Sequence, residues 1–245
     1  MLLHDNFNVK DLKSLKLTQL PDLAQEVRNR IIDVVSKNGG HIAPSLGVVE
    51  LTLALHYIYN SPKDKIIWDV GHQSYAHKII TGRNGQFDTL RQYKGISGFP
   101  KLKESPHDVF EVGHSSTSLS AAIGFASAMD IKGEKNKVVA VIGDGSMTNG
   151  MPFEALNNIG HSDKDILIVL NDNKMSISKN VGAFSKYLNK IFSSEIYNKV
   201  RDEVWKSMGI LKSMSNQARN IGKKIEESVK NILTSGVIFE ELGIR

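Results

Sequence analysis

An aspartate sits between two glycines at Gly143-Asp144-Gly145, directly after the apolar run 138–142. Glycines let a backbone approach a ligand closely and leave amide N–H groups free to point at it. A carboxylate in the same turn would repel a bare phosphate. The combination makes chemical sense when a divalent cation lies between the two. Magnesium takes six oxygens and commonly combines one or two protein carboxylates with phosphate oxygens. Asn173, at the end of the next apolar run, offers an amide oxygen, and the backbone carbonyl of Met175 can add another. A helix starting near Pro152 would bring its positive end to the same place. Alone, Gly-Asp-Gly is a common turn. The strand before it, the helix after it and Asn171-Asp172-Asn173 beyond them make it a magnesium-and-diphosphate site. Two other phosphate devices are excluded. Thr148 stands where a dinucleotide fingerprint needs its third glycine, and no Gly-Lys-Ser/Thr run exists to form a P-loop.

The elements that must position these residues alternate. Apolar runs at 66–70, 109–112, 138–142 and 166–170 read as short buried strands, and helices are expected at 74–81, at 117–131 and from about 152. This pattern predicts an α/β domain of three layers, a mostly parallel sheet flanked by helices. In such sheets ligands gather beyond the carboxyl ends of the strands. The polar loops 71–73, 113–116, 143–146 and 171–173 all fall there. Before the sheet, a helix is expected over 22–38, opened by Pro21-Asp22 and closed by Gly39-Gly40, with a second over 45–59. Residues 82–108 are rich in Gly, Pro and Lys and read as loop. His56 and His77 fall on helices and read as structural. His4, His107 and His161 read as surface, and Phe239 and Leu242 as core.

At 245 residues the chain can build one large core. It has no cysteine, which excludes disulfides, thiolate metal sites and cysteine nucleophiles and suits a reducing cytosol. No apolar run is long enough to cross a bilayer, and no secretory leader is visible. The formal charge of +5 does not indicate a nucleic-acid partner. The whole excess lies between Lys186 and Lys230, on helix-like stretches without a reading module. Residues 183–235 lack strand patterns and are expected to form loosely packed helices and mobile loop.

Further runs narrow the chemistry. Trp68-Asp69-Val70-Gly71-His72-Gln73, Gly113-His114-Ser115-Ser116-Thr117-Ser118 and Asn171-Asp172-Asn173-Lys174-Met175-Ser176 accompany the metal motif, as do Gly39-Gly40-His41, Thr81-Gly82-Arg83 and Phe239-Glu240-Glu241-Leu242-Gly243. Over nearly the whole chain these resemble the 1-deoxy-D-xylulose-5-phosphate synthases, transketolase-like enzymes dependent on thiamine diphosphate. The resemblance implies a single diphosphate-binding domain over 1–245. It implies condensation of pyruvate with D-glyceraldehyde 3-phosphate and loss of carbon dioxide, a step toward isoprenoid precursors, thiamine and pyridoxal. It assigns Asp144, Asn173 and the Met175 carbonyl to Mg2+. It assigns His72, Gly113, His114, Ser115, Gly145, Ser146 and Asn173 to thiamine diphosphate. It places His41 near the reacting substrates, where the residue would otherwise read as a helix-terminal histidine. Ser97-Gly98 departs from the family's form and takes no role; Pro152 stands where a small residue is usual.

Family members are longer. Their pyrimidine-binding domain supplies a glutamate that activates the cofactor, and a C-terminal domain follows. Neither is in this sequence, so the expectation is a partial site, inactive alone and completed in cis or by a separate chain. A cytoplasmic homodimer is implied. Two other readings remain at this point: the N-terminal subunit of a split transketolase-like enzyme, and a non-catalytic cofactor-binding fragment.

Overall fold

A computed structural model describes residues 1–171 and 237–244. The chain divides into two compact units, Met1–Ile177 and Ser178–Arg245. Among the described residues, the first unit contains a sheet of three parallel strands in the order β1-β2-β3: β1 Lys65–Trp68, β2 Val138–Gly143 and β3 Ile166–Asn171. Val138 pairs with Lys65 on one side and Ile166 on the other, so the strands run level and end at one edge. The central strand β2 is buried from Val138 to Ile142, whereas β3 is mostly half-buried. A continuous apolar run is what a strand covered on both faces requires.

Helices α1 Val9–Ser14, α2 Leu20–Asn38, α3 Ile42–Leu46 and α4 Val49–Ile58 precede the sheet. In α2 the buried residues Leu23, Val27, Ile31 and Val34 recur every three or four positions and form one stripe. That stripe meets Val49 and Leu53 of α4 in a helical core with Phe7, Leu12, Tyr75 and Phe87. On its other side α4 lays Leu55 against Ile66 and Trp68 of β1 and Val139 and Val141 of β2. This helix is therefore apolar nearly all round because it is sandwiched. The residues alternating with the α4-facing set, Ile67, Ala140 and Ile142, are also fully buried. Helix α6, Ser118–Lys132, packs against all three strands, with Ala122 and Ala126 allowing close approach. The three-layer parallel arrangement is as the alternation of elements predicts.

Between α4 and α6 the chain forms α5, Tyr75–Lys78, then wider and tighter helical turns through Thr89. Helix α7, Gly150–His161, connects β2 to β3, and α8, Val237–Glu241, lies in the second unit, where Phe239 and Leu242 are half-buried.

Several boundaries differ from expectation. The helix foreseen over 45–59 is two, broken at Gly47-Val48. The first strand stops at Trp68, because Val70 and Gly71 take φ of 62° and 86° and turn the chain out of the sheet. Pro152 is the third residue of α7 rather than the first; its missing N–H is still one of the four a helix start leaves unpaired. The strand expected over 109–112 does not form: no ladder partner exists for it among the described residues. Segment 82–108 is ordered by buried Phe87, Leu90 and Ile96 and by ion pairs, rather than being open loop. The expected helices and loop over 183–235 lie outside the described residues.

Candidate functional site

The parallel sheet places the loops after β1 and β2 and the end of β3 at one edge. Each carries residues singled out from the sequence, and hydrogen bonds join the loops to one another. The Asp144 amide donates to the Asn171 carbonyl at 3.3 Å, tying the loop after β2 to the end of β3. The Ser116 hydroxyl donates to the Ser146 carbonyl at 2.9 Å, tying the 113–118 loop to the same turn. Asn149, just before α7, donates from its side-chain nitrogen to the Ser116 hydroxyl at 2.5 Å and to that of Ser115 at 3.4 Å. The start of α7 is thereby fixed beside the 113–118 loop, consistent with a helix N-terminus favouring negative charge nearby.

His41 and His72 form the second part. Their rings meet edge to face with centroids 5.5 Å apart at an interplanar angle of 81°. Phe99 stands against His41 at 5.7 Å. The His41 amide is held by the Tyr75 hydroxyl at 3.2 Å, and Ser45 donates to the His72 carbonyl at 3.2 Å. Gly40 and Gly71 are both required. A Cβ on Gly40 would lie 2.6 Å from the Tyr75 hydroxyl, and one on Gly71 2.3 Å from Pro100 Cδ. Burial, and then the Arg91 guanidinium, lower the His41 pKa. Burial and then His41 lower that of His72 against an opposing pull from Asp69. Near pH 7 both rings are neutral, so each offers one donor and one acceptor. Nδ1 of each ring is buried and has no hydrogen-bond partner. Leaving such atoms unpaired costs about 1–3 kcal/mol each, a cost that a bound polar ligand would remove.

These features fit an anionic cofactor. Gly113 and His114 are exposed, and Ser115, Asp144, Gly145 and Ser146 are half-buried. A Cβ at Gly113 would meet nothing within 4 Å, so the protein's own packing does not demand the glycine. His114 Nδ1 lies 2.7 Å from the Ser115 carbonyl. Asn173 and Met175 lie outside the described residues, so of the expected magnesium ligands only Asp144 is described. No group of three or more His, Cys, Asp or Glu able to hold a metal occurs among the described residues. A shell of one carboxylate, one amide, one backbone carbonyl and phosphate oxygens needs no such group.

The sequence reading passed over Asp69, Ser116, Tyr75 and Arg91. Asp69 and Ser116 lie inside runs singled out above, but the partners of the Asp69 carboxylate are backbone amides, which leave no mark in a sequence, and Ser116 meets Asn149 only after folding. His107, expected at the surface, is half-buried with Nδ1 2.9 Å from the Ser61 hydroxyl. His4 and His161 are exposed as expected.

The three-layer α/β fold is shared with transketolases. Two transketolase variants from Pichia stipitis match at TM-scores of 0.56 and 0.57 with 19% identity, covering 64% and 68% of this chain and 27% and 30% of theirs. At that identity the likeness concerns fold alone. The sequence defines the family. The family model for 1-deoxy-D-xylulose-5-phosphate synthase matches residues 3–245, and the chain belongs to that family. The synthase of Brevibacillus brevis is 57% identical over 243 residues, 99% of this chain and 39% of the relative. Those of Desulfitobacterium hafniense and Alkaliphilus oremlandii are each 57% identical over 96% of the chain, 37% and 38% of their own lengths. The chain thus spans well under half the length of these relatives.

Proposed function

We propose that this chain supplies the diphosphate- and metal-binding half of a transferase that condenses pyruvate with D-glyceraldehyde 3-phosphate. The products are 1-deoxy-D-xylulose 5-phosphate and carbon dioxide, feeding isoprenoid-precursor, thiamine and pyridoxal synthesis. The observation that carries the reading is the His41–His72 pair at the strand-end edge. Each ring keeps a buried, unpartnered Nδ1 in a chain of this family. Thiamine diphosphate, when bound, supplies the carbanion chemistry, and the protein supplies positioning and electrostatics.

In this reading Asp144 and Asn173, with the Met175 carbonyl, hold Mg2+. His72, Gly113, His114, Ser115, Gly145, Ser146 and Asn173 hold the cofactor. Residues 1–245 act as one functional diphosphate-binding domain. The reaction breaks the pyruvate carboxyl–carbonyl bond, joins the former carbonyl carbon to the aldehyde carbon, and delivers a proton to the aldehyde oxygen. His41 suits that last task, because a neutral imidazole can donate to one oxygen while accepting from another group. The Phe99 ring packs edge to face against the His41 ring. The carboxylate that activates the cofactor's pyrimidine ring comes from a further domain, in cis or on a separate chain, within a cytoplasmic homodimer. Among the described residues no helix is long and apolar enough to cross a membrane.

Mixing this chain with one carrying the remaining domains, thiamine diphosphate and magnesium should give carbon dioxide release from pyruvate, increased by D-glyceraldehyde 3-phosphate. A folded, cofactor-binding complex that releases none contradicts the proposal. Turnover of a ketose phosphate donor instead would mark a split transketolase.

A further inference from the structure

Asp69 follows the last residue of β1 and is 1% exposed. Its carboxylate is bonded to backbone amides. It accepts the Ser116 amide at 2.8 Å on Oδ1 and the Ser118 amide at 3.1 Å on Oδ2. Ser118 is the first residue of α6, and Thr117, in the N-cap position, makes no side-chain cap bond. One of the amides that a helix start leaves unpaired is thus satisfied from another strand, by the Asp69 carboxylate. A buried carboxylate there is stabilised by the helix dipole and two amides. It also occupies the positive end of α6. The diphosphate is therefore left to the loop amides, the metal and the start of α7.

Ser116 lies at the other end of this contact. Its φ is 77°, a left-handed value that costs a serine roughly 1 kcal/mol or more. With its amide on Asp69, it turns its hydroxyl to the Ser146 carbonyl and receives Asn149. The backbone carbonyl of Asp69 meanwhile accepts from Gln73 Nε2 at 3.0 Å and from the Gly71 amide at 2.6 Å, bracketing His72. One residue thereby engages the loop holding His72 through its backbone and the loop holding Gly113, His114 and Ser115 through its side chain. Through Ser116 it also reaches the loop holding Gly145 and Ser146.

We infer that Asp69 is the positioning residue of the strand-end site. It holds the first amide of α6 and, with Ser116 as relay, sets the register of three ligand-bearing loops. The inference rests on the cofactor-site reading given above. It predicts a split between affinity and stability that a merely structural aspartate would not show. Asp69→Asn leaves one acceptor oxygen for two amides and turns an NH2 donor toward the other, so the hold that keeps Ser116 left-handed is weakened.

The test compares Asp69→Asn, Ser116→Ala and Leu12→Ala, the last a core truncation remote from the sheet. Magnesium-dependent thiamine diphosphate titration, thermal melting and amide hydrogen exchange without cofactor are read together. Asp69→Asn should weaken cofactor affinity at least tenfold and speed exchange at Ser116 and Ser118. Ser116→Ala, which keeps the amide bond and loses only the relay hydroxyl, should weaken it about threefold to tenfold with little change in melting. Leu12→Ala should lower the melting temperature by more than Ser116→Ala and leave affinity unchanged. Should Asp69→Asn not fold, the contrast between Ser116→Ala and Leu12→Ala decides. Wild-type affinity in either loop variant, alongside a wild type that binds, overturns the inference. A wild type that binds no cofactor overturns the function reading instead.

Discussion

Two histidine-bearing polar clusters lie in the first unit, and they are built differently. At the strand ends, His41 and His72 face each other with both Nδ1 atoms unpartnered, among loops that are half-buried or open. Beneath α4 and α5 the second cluster is closed. His56 Nε2 meets His77 Nδ1 at 2.9 Å, and His77 Nε2 meets Asp108 Oδ1 at 2.8 Å. Arg83 grips Asp108 with both terminal nitrogens at 2.7 and 2.8 Å, and Lys78, fully buried, pairs with Glu104 at 2.6 Å. Asp108 also takes the Lys101 amide. Burial lowers the pKa of both histidines, with His77 at about 4. Its acidic partner points the same way: burial raises the Asp108 pKa, but His77 and Arg83 outweigh it and hold the group ionised. With both rings neutral, one tautomer chain satisfies the contacts. His56 donates to His77, His77 donates to Asp108, and the unpartnered atom of His56 is a bare lone pair, the cheaper kind to bury. The comparison shows that histidine content does not mark a site. Unpartnered atoms do not mark it alone either, since His56 Nδ1 and Arg83 Nε are also without partners; what marks it is that those of His41 and His72 lie on half-buried residues beside the strand ends.

The largest expected effect breaks the closed cluster. Asp108→Ala would leave the Arg83 guanidinium, His77 and the Lys101 amide without their common acceptor, costing about 3–5 kcal/mol in denaturant unfolding. Thiamine diphosphate affinity of the folded fraction should stay within about threefold of wild type. A tenfold loss of affinity with stability intact would mean that the two clusters are one site.

Acid should act on the same cluster. The folded-state pKa of His77, about 4, lies below its unfolded value of 6.5. The unfolded chain therefore binds a proton first as pH falls. Stability from this group is complete above about pH 6.5 and is lost progressively toward pH 4, by roughly 3 kcal/mol. His56 shifts in the same direction. Melting curves between pH 7.5 and 4 should show a steady fall that His77→Gln reduces. Flat stability across that range would contradict neutral, buried rings.

The smallest effect on stability, and the sharpest on function, belongs to the open cluster. His72→Ala should reduce cofactor affinity about tenfold, in line with one hydrogen bond to a charged group at roughly 1.5–3 kcal/mol. Its melting temperature should move by no more than a few degrees, since the deleted Nδ1 bonds to nothing in the protein. A large stability loss with unchanged affinity would class His72 with His77.

The contrast also explains what the sequence disclosed. Short apolar runs followed by polar turns identified β1, β2 and β3; burial explains the continuous Val and Ile of β1 and β2, whereas β3 is apolar though mostly half-buried. The strand-end loops announced themselves through residue types that only a ligand would justify, as at Gly113. The closed cluster was invisible. Its partners are 21, 25, 26 and 31 residues apart and meet only after folding. Segment 82–108 therefore read as loop by its Gly, Pro and Lys content. Val109, Phe110 and Val112 looked like a strand, but these residues are half-buried and pair with nothing in the sheet. Asp69 lay in plain view, yet its acceptor role depends on amides that any residue would carry.

The central claim is that Asp144 marks a magnesium-assisted diphosphate site. Calorimetric titration of thiamine diphosphate with and without magnesium, on wild type and Asp144→Ala, tests it most directly. Magnesium should raise wild-type affinity at least tenfold, and Asp144→Ala should lose most of that gain while keeping its fold. Equal wild-type affinity with and without magnesium, or a magnesium effect undiminished in Asp144→Ala, would contradict the account.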